Sequence, residues 1–268
     1  MIIDFHTHVF PDKIAKRTID LLSEMGSISP SSDGTVSGLV EKMEAAGIDI
    51  SVTLPVLTNP SQFDSVNKFA FELNEKYKTG KRRIISFAGI HPHCEGIGEK
   101  MAFIKKSGFL GIKIHPDYQD TFFDDDRYIE ILNYAKEYDL IAVTHAGVDI
   151  AFRNCVHCTP ERALSVIKRV GHKKLVLAHL GGSELPEEVI DKLCGEDVYF
   201  DTAFVLKYTP RETFMRMLRK HGEDKILFAT DSPWSNISED VNIIKSFGLT
   251  KSIEDKIFSE NARALLGI

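Results

Sequence analysis

The sequence predicts an α/β chain folded as one (β/α)8 TIM barrel, and three observations carry that expectation. Eight short runs rich in β-branched residues recur along the whole length, at 2–5, 48–54, 84–90, 110–114, 140–144, 174–178, 198–201 and 226–230. They are nearly continuous apolar runs, as parallel strands covered on both faces require. Their ends are spaced by roughly 32 residues, close to the length of a βαβ unit. The segments between them carry helical periods, and 268 residues suit one such barrel. A doubly wound open sheet is the alternative topology.

In chain order, Val36, Leu39, Val40 and Met43 mark a helical face that stops at Gly47, and Phe63, Val66, Ala70, Leu73 and Tyr77 mark the next. Thr159 before Pro160, and Thr209 before Pro210, read as N-caps with proline at the first helical position; Gly171 and Gly222 are the matching exits. Past the eighth run, 238–247 and 252–266 read as two closing helices. No linker, repeat or low-complexity tract divides the chain, so a single domain over 1–268 is expected.

With 43% hydrophobic and 27% charged residues, the chain can bury a sizeable core. A net charge of −6 removes the general attraction to nucleic acid or anionic lipid that a basic protein has. No run approaches the roughly 18 apolar residues of a membrane span, and residues 1–8 lack the basic and then apolar pattern of a leader. A soluble, cytoplasmic protein without nucleic-acid or membrane partners is expected. Four cysteines, Cys94, Cys155, Cys158 and Cys194, do not make a disulfide framework in a chain of this length. Cys155 and Cys158 have the spacing of half a zinc site with no second pair, so packing or substrate contact is expected there instead.

The histidines are the informative residues. His6, His8, His91, His93, His115, His145 and His179 all fall at or just beyond the C-terminal end of an expected strand, and in a barrel those ends converge on the active face. One strand-end histidine is ordinary, but seven together are not. His6 and His8 are two apart on a strand, so both point to one face and can share a metal ion. Asp4 has the same parity and is placed to fix the tautomer of a ligand histidine. Asp231 ends an apolar strand, where an unpaired carboxylate is costly and metal ligation would remove the cost.

Asp4-Phe5-His6-Thr7-His8, His145, His179 and Thr230-Asp231, in this order and spacing, resemble the metal-dependent amidohydrolase superfamily over the whole chain. With His6 so near the start, the sequence is most similar to the single-barrel amidohydrolase 2 group, which Gly111-Ile112-Lys113-Ile114-His115-Pro116 also resembles. The resemblance implies one divalent ion, expected to be zinc with manganese or iron as alternatives, held by His6, His8, His145 and Asp231. It implies hydrolysis of a small amide, ester or lactone, with Asp231 passing a proton from water to the leaving group and His179 stabilising the oxyanion. The group also contains non-oxidative decarboxylases of small carboxylated rings or enols, which is the alternative activity; a catalytically inert metal-binding barrel is a third reading.

Lys113 has two expected roles. In dihydroorotase-like and phosphotriesterase-like members, a strand-four lysine is carbamylated and bridges two ions, and His179 would then ligate the second. Otherwise its ammonium would balance nearby carboxylates or bind an anionic small-molecule substrate. Gly89-Ile90-His91-Pro92-His93 is also similar to TatD-type nucleases, but those place a glutamate where this chain has Lys113. Whether the chain forms a homo-oligomer is left open by the sequence.

Overall fold

In the computed structural model, which describes residues 1–80 and 82–268, nine short strands line up in chain order: β1 (Ile3–Thr7), β2 (Ile50–Thr53), β3 (Arg83–Ser86), β4 (Ala88–Gly89), β5 (Gly111–Ile114), β6 (Ile141–Thr144), β7 (Leu175–Leu177), β8 (Tyr199–Asp201) and β9 (Ile226–Leu227). Neighbours pair in parallel, β1 to β3 in one sheet and β4 to β9 in a second. The seam is Phe87, which divides the third expected strand in two while its N–H still donates to Thr53 O at 2.9 Å. The far edges also meet. Phe5 N donates to Phe228 O at 2.9 Å, Asp231 N to His6 O at 2.8 Å and His8 N to Ser232 O at 2.6 Å, so the ring closes and the open-sheet alternative is excluded.

Strand parity sorts the core into two layers. Phe5, Val52, Phe87, Val143 and Val176 fill the lumen with Leu265 and Leu266 from the last helix. Ile84, Ile112, Ala142, Leu177, Phe200 and Phe228 face outward against the helices. Those helices are α1 (Asp12–Gly26), α2 (Val36–Ala46), α3 (Phe63–Lys76), α4 (Ile97–Lys106), α5 (Asp126–Glu137), α6 (Pro160–Val170), α7 (Pro186–Lys192), α8 (Arg211–His221), α9 (Ile237–Ser246), α10 (Lys251–Asp255) and α11 (Asn261–Leu266). Among the described residues no helix is long and apolar enough to cross a membrane.

Three local readings change. Thr159 caps α6 by accepting from Arg162 N, but the Thr209 hydroxyl turns back to Val205 O at 2.9 Å, and Pro210 occupies the N-cap of α8. The closing helix expected at 252–266 is interrupted by a π turn, Lys256–Glu260, between α10 and α11. Most consequentially, α1 is an added helix between β1 and α2, ahead of the first helical face marked in the sequence, at Val36.

Gly147, in the loop after β6, tests how tightly the active-face loops are seated, and Gly108, in the turn from α4 to β5 on the opposite face, is the comparison. Both have positive φ, +84° and +79°. A Cβ at Gly147 would lie 2.5 Å from Gly182 C and closer still to Ser183 N, whereas at Gly108 nothing lies within 4 Å. Gly108→Ala should cost only backbone strain, about 1 kcal/mol, and Gly147→Ala at least about 3 kcal/mol. Urea midpoints of the two variants check this, and equal midpoints would contradict it.

Candidate metal centre

The hydrogen bonds that close the barrel also set two imidazoles and a carboxylate side by side. His6 lies within β1 and His8 just beyond it, and Asp231 follows β9 with φ +65°. His6 Nδ1 lies 2.9 Å from Asp201 Oδ2, and His8 Nδ1 lies 2.8 Å from Leu54 O. A carboxylate and a carbonyl can only accept, so in each neutral ring the proton sits on Nδ1 and Nε2 carries a lone pair. Those two Nε2 atoms are 3.2 Å apart. Asp231 Oδ1 is 3.0 Å from His8 Nε2 and 3.5 Å from His6 Nε2.

Three acceptors facing one another repel unless positive charge lies between them. Protonating His6 is opposed first by burial and then by the Lys113 charge, which together hold its pKa well below the usual range. Burial pushes the Asp231 carboxyl up, but interaction with His6 and His8 brings it down to about 2, a pull that requires positive charge on their Nε2 side, supplied by a proton or by a cation in its place. Two imidazole nitrogens and an ionised carboxylate therefore fit a divalent cation by their chemistry as well as by their spacing.

The fourth expected ligand is placed differently. His145, just past β6, meets His179 instead: its Nδ1 is 2.9 Å from His179 Nε2. His179 Nδ1 faces Ala203 O at 2.9 Å, so its Nε2 is also a lone pair. On the other side, His145 Nε2 and Asp117 Oδ2 are both buried without a hydrogen-bond partner, 3.7 Å apart. His115, His145 and Asp149 also offer ligand atoms within 4.8 Å of one another. However, the His115 and His145 rings stack at 4.3 Å and 13°, so their lone pairs run in parallel planes and cannot both aim at one ion.

Lys113 Nζ donates to His6 Nε2 at 3.2 Å. Burial brings its pKa down to about 8, against the pull of Asp201, Asp231 and Asp149. Asp4 does not act on a ligand ring. Two residues deeper along β1, it reaches Thr230 Oγ1 at 2.6 Å and Thr230 N at 3.0 Å, and burial pushes its pKa up to about 8. The carboxylate that fixes the His6 tautomer is Asp201, whose Oδ1 also accepts from His179 N at 2.9 Å and Ala203 N at 3.1 Å. Sequence reasoning missed it, although Asp201 ends an apolar strand just as Asp231 does.

His6, His8, Lys113, His115, His145, His179 and Asp231 line one cavity of about 610 Å³. His91 and His93 are outside it; His93 Nε2 meets Thr121 Oγ1 at 3.2 Å. In the loop after β6, Cys158 is buried in the core, the packing expected for it, while Arg153 pairs with Glu184 at 3.0 Å and His157 is tied to Asp117 Oδ1 at 3.0 Å.

A family model described as amidohydrolase matches residues 3–268. No curated protein matches the sequence. Among similar solved structures, a TIM-barrel protein from Bordetella bronchiseptica has a TM-score of 0.78 at 18% identity, covering 99% of this chain and 98% of that one. Dihydroxybenzoic acid decarboxylase from Polaromonas, with bound manganese and the inhibitor 2-nitroresorcinol, has a TM-score of 0.72 at 16% identity, covering 99% and 96%. 5-Carboxyvanillate decarboxylase from Novosphingobium aromaticivorans, complexed with manganese and 4-hydroxy-3-methoxy-5-nitrobenzoic acid, has 0.74 at 14% identity, covering 100% and 96%. At these identities the likeness is one of fold.

Because Asp201 holds His6 in the ligating tautomer, Asp201→Asn should weaken binding of a divalent ion by roughly 10- to 100-fold. Competition against a chromophoric chelator measures it, and an affinity equal to wild type would remove Asp201 from this role.

Proposed function

The chain belongs to the amidohydrolase family, and on that premise we propose that it releases carbon dioxide, without oxidation, from a small aromatic or enolic carboxylate. One observation carries this reading. The cavity gathers its imidazoles, Asp231 and the Lys113 ammonium at the floor, while Val9, Phe10, Val56, Val148, Phe204 and Trp234 make its walls mainly apolar. A flat carboxylated ring suits such walls. The nitrated ring compounds held by the two decarboxylases of similar fold support the choice.

His6, His8 and Asp231 would hold the ion; His145, whose Nδ1 meets His179, would join them only by turning its ring away from that partner. A nitrogen and oxygen donor set without thiolate suits manganese as well as zinc, and the manganese in those two decarboxylases favours it. When bound, the ion supplies Lewis acidity to a substrate oxygen. In this reading Lys113 stays an ammonium and neutralises the substrate's anionic oxygens. Asp231 takes the proton of the ring hydroxyl and returns it to the ring carbon that bears the carboxylate. The carbon–carbon bond breaks, its electron pair restores the ring, and carbon dioxide and a phenolate result. His179 Nε2 accepts from His145 Nδ1 and would orient a substrate hydroxyl only in place of that bond.

Hydrolysis of a small amide, ester or lactone is the second reading, favoured by the family description; there Asp231 would take its proton from water. Manganese-loaded protein is expected to release carbon dioxide from hydroxybenzoates and to leave a lactone and ester panel intact. The reverse result would select hydrolysis. Asp231→Asn should keep the fold and lose turnover by about 10²- to 10⁴-fold, and near wild-type kcat would argue against its role. Lys113→Met should raise KM for anionic substrates by roughly 30-fold or more; an unchanged KM would show that its charge does not meet the substrate.

A further inference from the structure

We propose that the substrate carries a hydrophobic substituent, alkyl or aryl, that lies along α1 opposite α3; the proposal rests on the carboxylate reading of the same site. Helix α1 is apolar on two sides. Ala15 and Ile19 are buried against the body of the protein. Ile14, Leu21 and Met25 recur on another stripe and remain 49%, 55% and 41% exposed, three of the largest apolar exposures among the described residues. A second apolar stripe left in water needs a reason.

The reason is continuity with the chemical floor. Ile14, Leu21 and Met25 line the same cavity as His6, Lys113 and Asp231, and Val66 and Phe69 of α3 line it as well. None of the charged residues of α1 does. The cavity, at about 610 Å³, falls in the middle of the range of roughly 300–1,000 Å³ that encloses drug-sized ligands. A bare hydroxybenzoate is smaller than such ligands, and once its carboxylate is at the floor the space beside α1 is left for an apolar group. Of the α1 residues on the cavity none is charged and Thr18 alone has a polar side chain, set among Ile14, Leu21, Leu22 and Met25, so the wall favours a hydrocarbon substituent over a charged one.

Two parallel series test it on manganese-loaded full-length protein: kcat/KM for 4-alkylsalicylates from methyl to pentyl, and Kd by calorimetry for 4-alkylbenzoates, which lack the hydroxyl the reaction uses. Both should improve about fourfold per methylene, the equivalent of about 0.8 kcal/mol for each buried CH₂. Leu21→Asn and Met25→Asn, at exposed positions, should flatten that slope, which is read within each variant and so does not depend on its overall rate. A flat slope in the unaltered protein, or a slope that survives both substitutions, overturns the proposal. So does a flat slope joined to concentration-dependent dimerisation that Leu21→Asn abolishes, which would assign the stripe to a second copy of the chain. If no salicylate loses carbon dioxide while benzoate affinity still climbs with chain length, the decarboxylase reading fails and the substituent site stands.

Discussion

Closure of the barrel between β1 and β9 is the constraint on which the site depends. Asp231 N to His6 O and His8 N to Ser232 O are backbone hydrogen bonds of the wall itself, and they bring Nε2 of His6, Nε2 of His8 and Oδ1 of Asp231 within 3.5 Å of one another. Separating these acceptors would mean opening the barrel, which the lumen packing of Phe5, Phe87 and Leu227 opposes. Lys113 Nζ, donating to His6 Nε2, relieves part of this repulsion; a cation among the three atoms would relieve the rest, and burial of His6 makes an extra proton the costlier choice. A site of this kind is preorganised by the core beneath it.

Four carboxylates near the floor have different states because they have different partners. Asp4 is raised to about 8 and joins β1 to Thr230 as a structural acid. Asp231, among imidazoles, stays ionised. Asp201 is pushed up by burial and drawn back by His179, backbone N–H groups and Lys113, and through its two oxygens it couples the His6 ring to the His179 backbone. Asp149 is pushed up to about 6, first by burial. The same side chain thus braces a strand, fixes the tautomer of a ring, or stays ionised in the cavity, and environment alone makes the difference.

The sequence exposed the barrel because parallel strands covered on both faces must be apolar throughout and must recur at the length of a βαβ unit. It exposed His6, His8 and Asp231 because their positions at strand ends suffice to bring them together once the wall closes. The partner of a ring was less legible. Asp4 and Asp201 both lie on strands with suitable parity, and only the depth of each along the wall decides that Asp4 reaches Thr230 and Asp201 reaches His6. The position of His145 depended on the turn at His179, whose φ of +59° no propensity indicates. Helix α1 escaped notice for a related reason: its apolar residues fall on two faces, Ala15 with Ile19 and Ile14 with Leu21, which blurs the single stripe by which an amphipathic helix is read.

Backbone strain is concentrated where the chemistry is. Of eight non-glycine residues with positive φ among the described residues, His179, Leu180, Glu184, Phe204 and Asp231 lie in the loops after β7, β8 and β9. Each such conformation costs on the order of 1–3 kcal/mol and persists only where surrounding contacts overdetermine it. Those contacts can be named. His179 is held by the Asp201 carboxylate at its N–H and by Ala203 O at its ring, and Asp231 by His6 O at its N–H. Phe204, a bulky residue at φ +65°, has its N–H on Thr230 O at 3.2 Å, which ties the loop after β8 to the strand end that carries Asp231. The strained positions are thus linked to one another through β1, β8 and β9, and relaxing one of them would displace the others. That linkage, more than any single hydrogen bond, keeps the ligand atoms facing inward although the loops that carry them would relax if they were free.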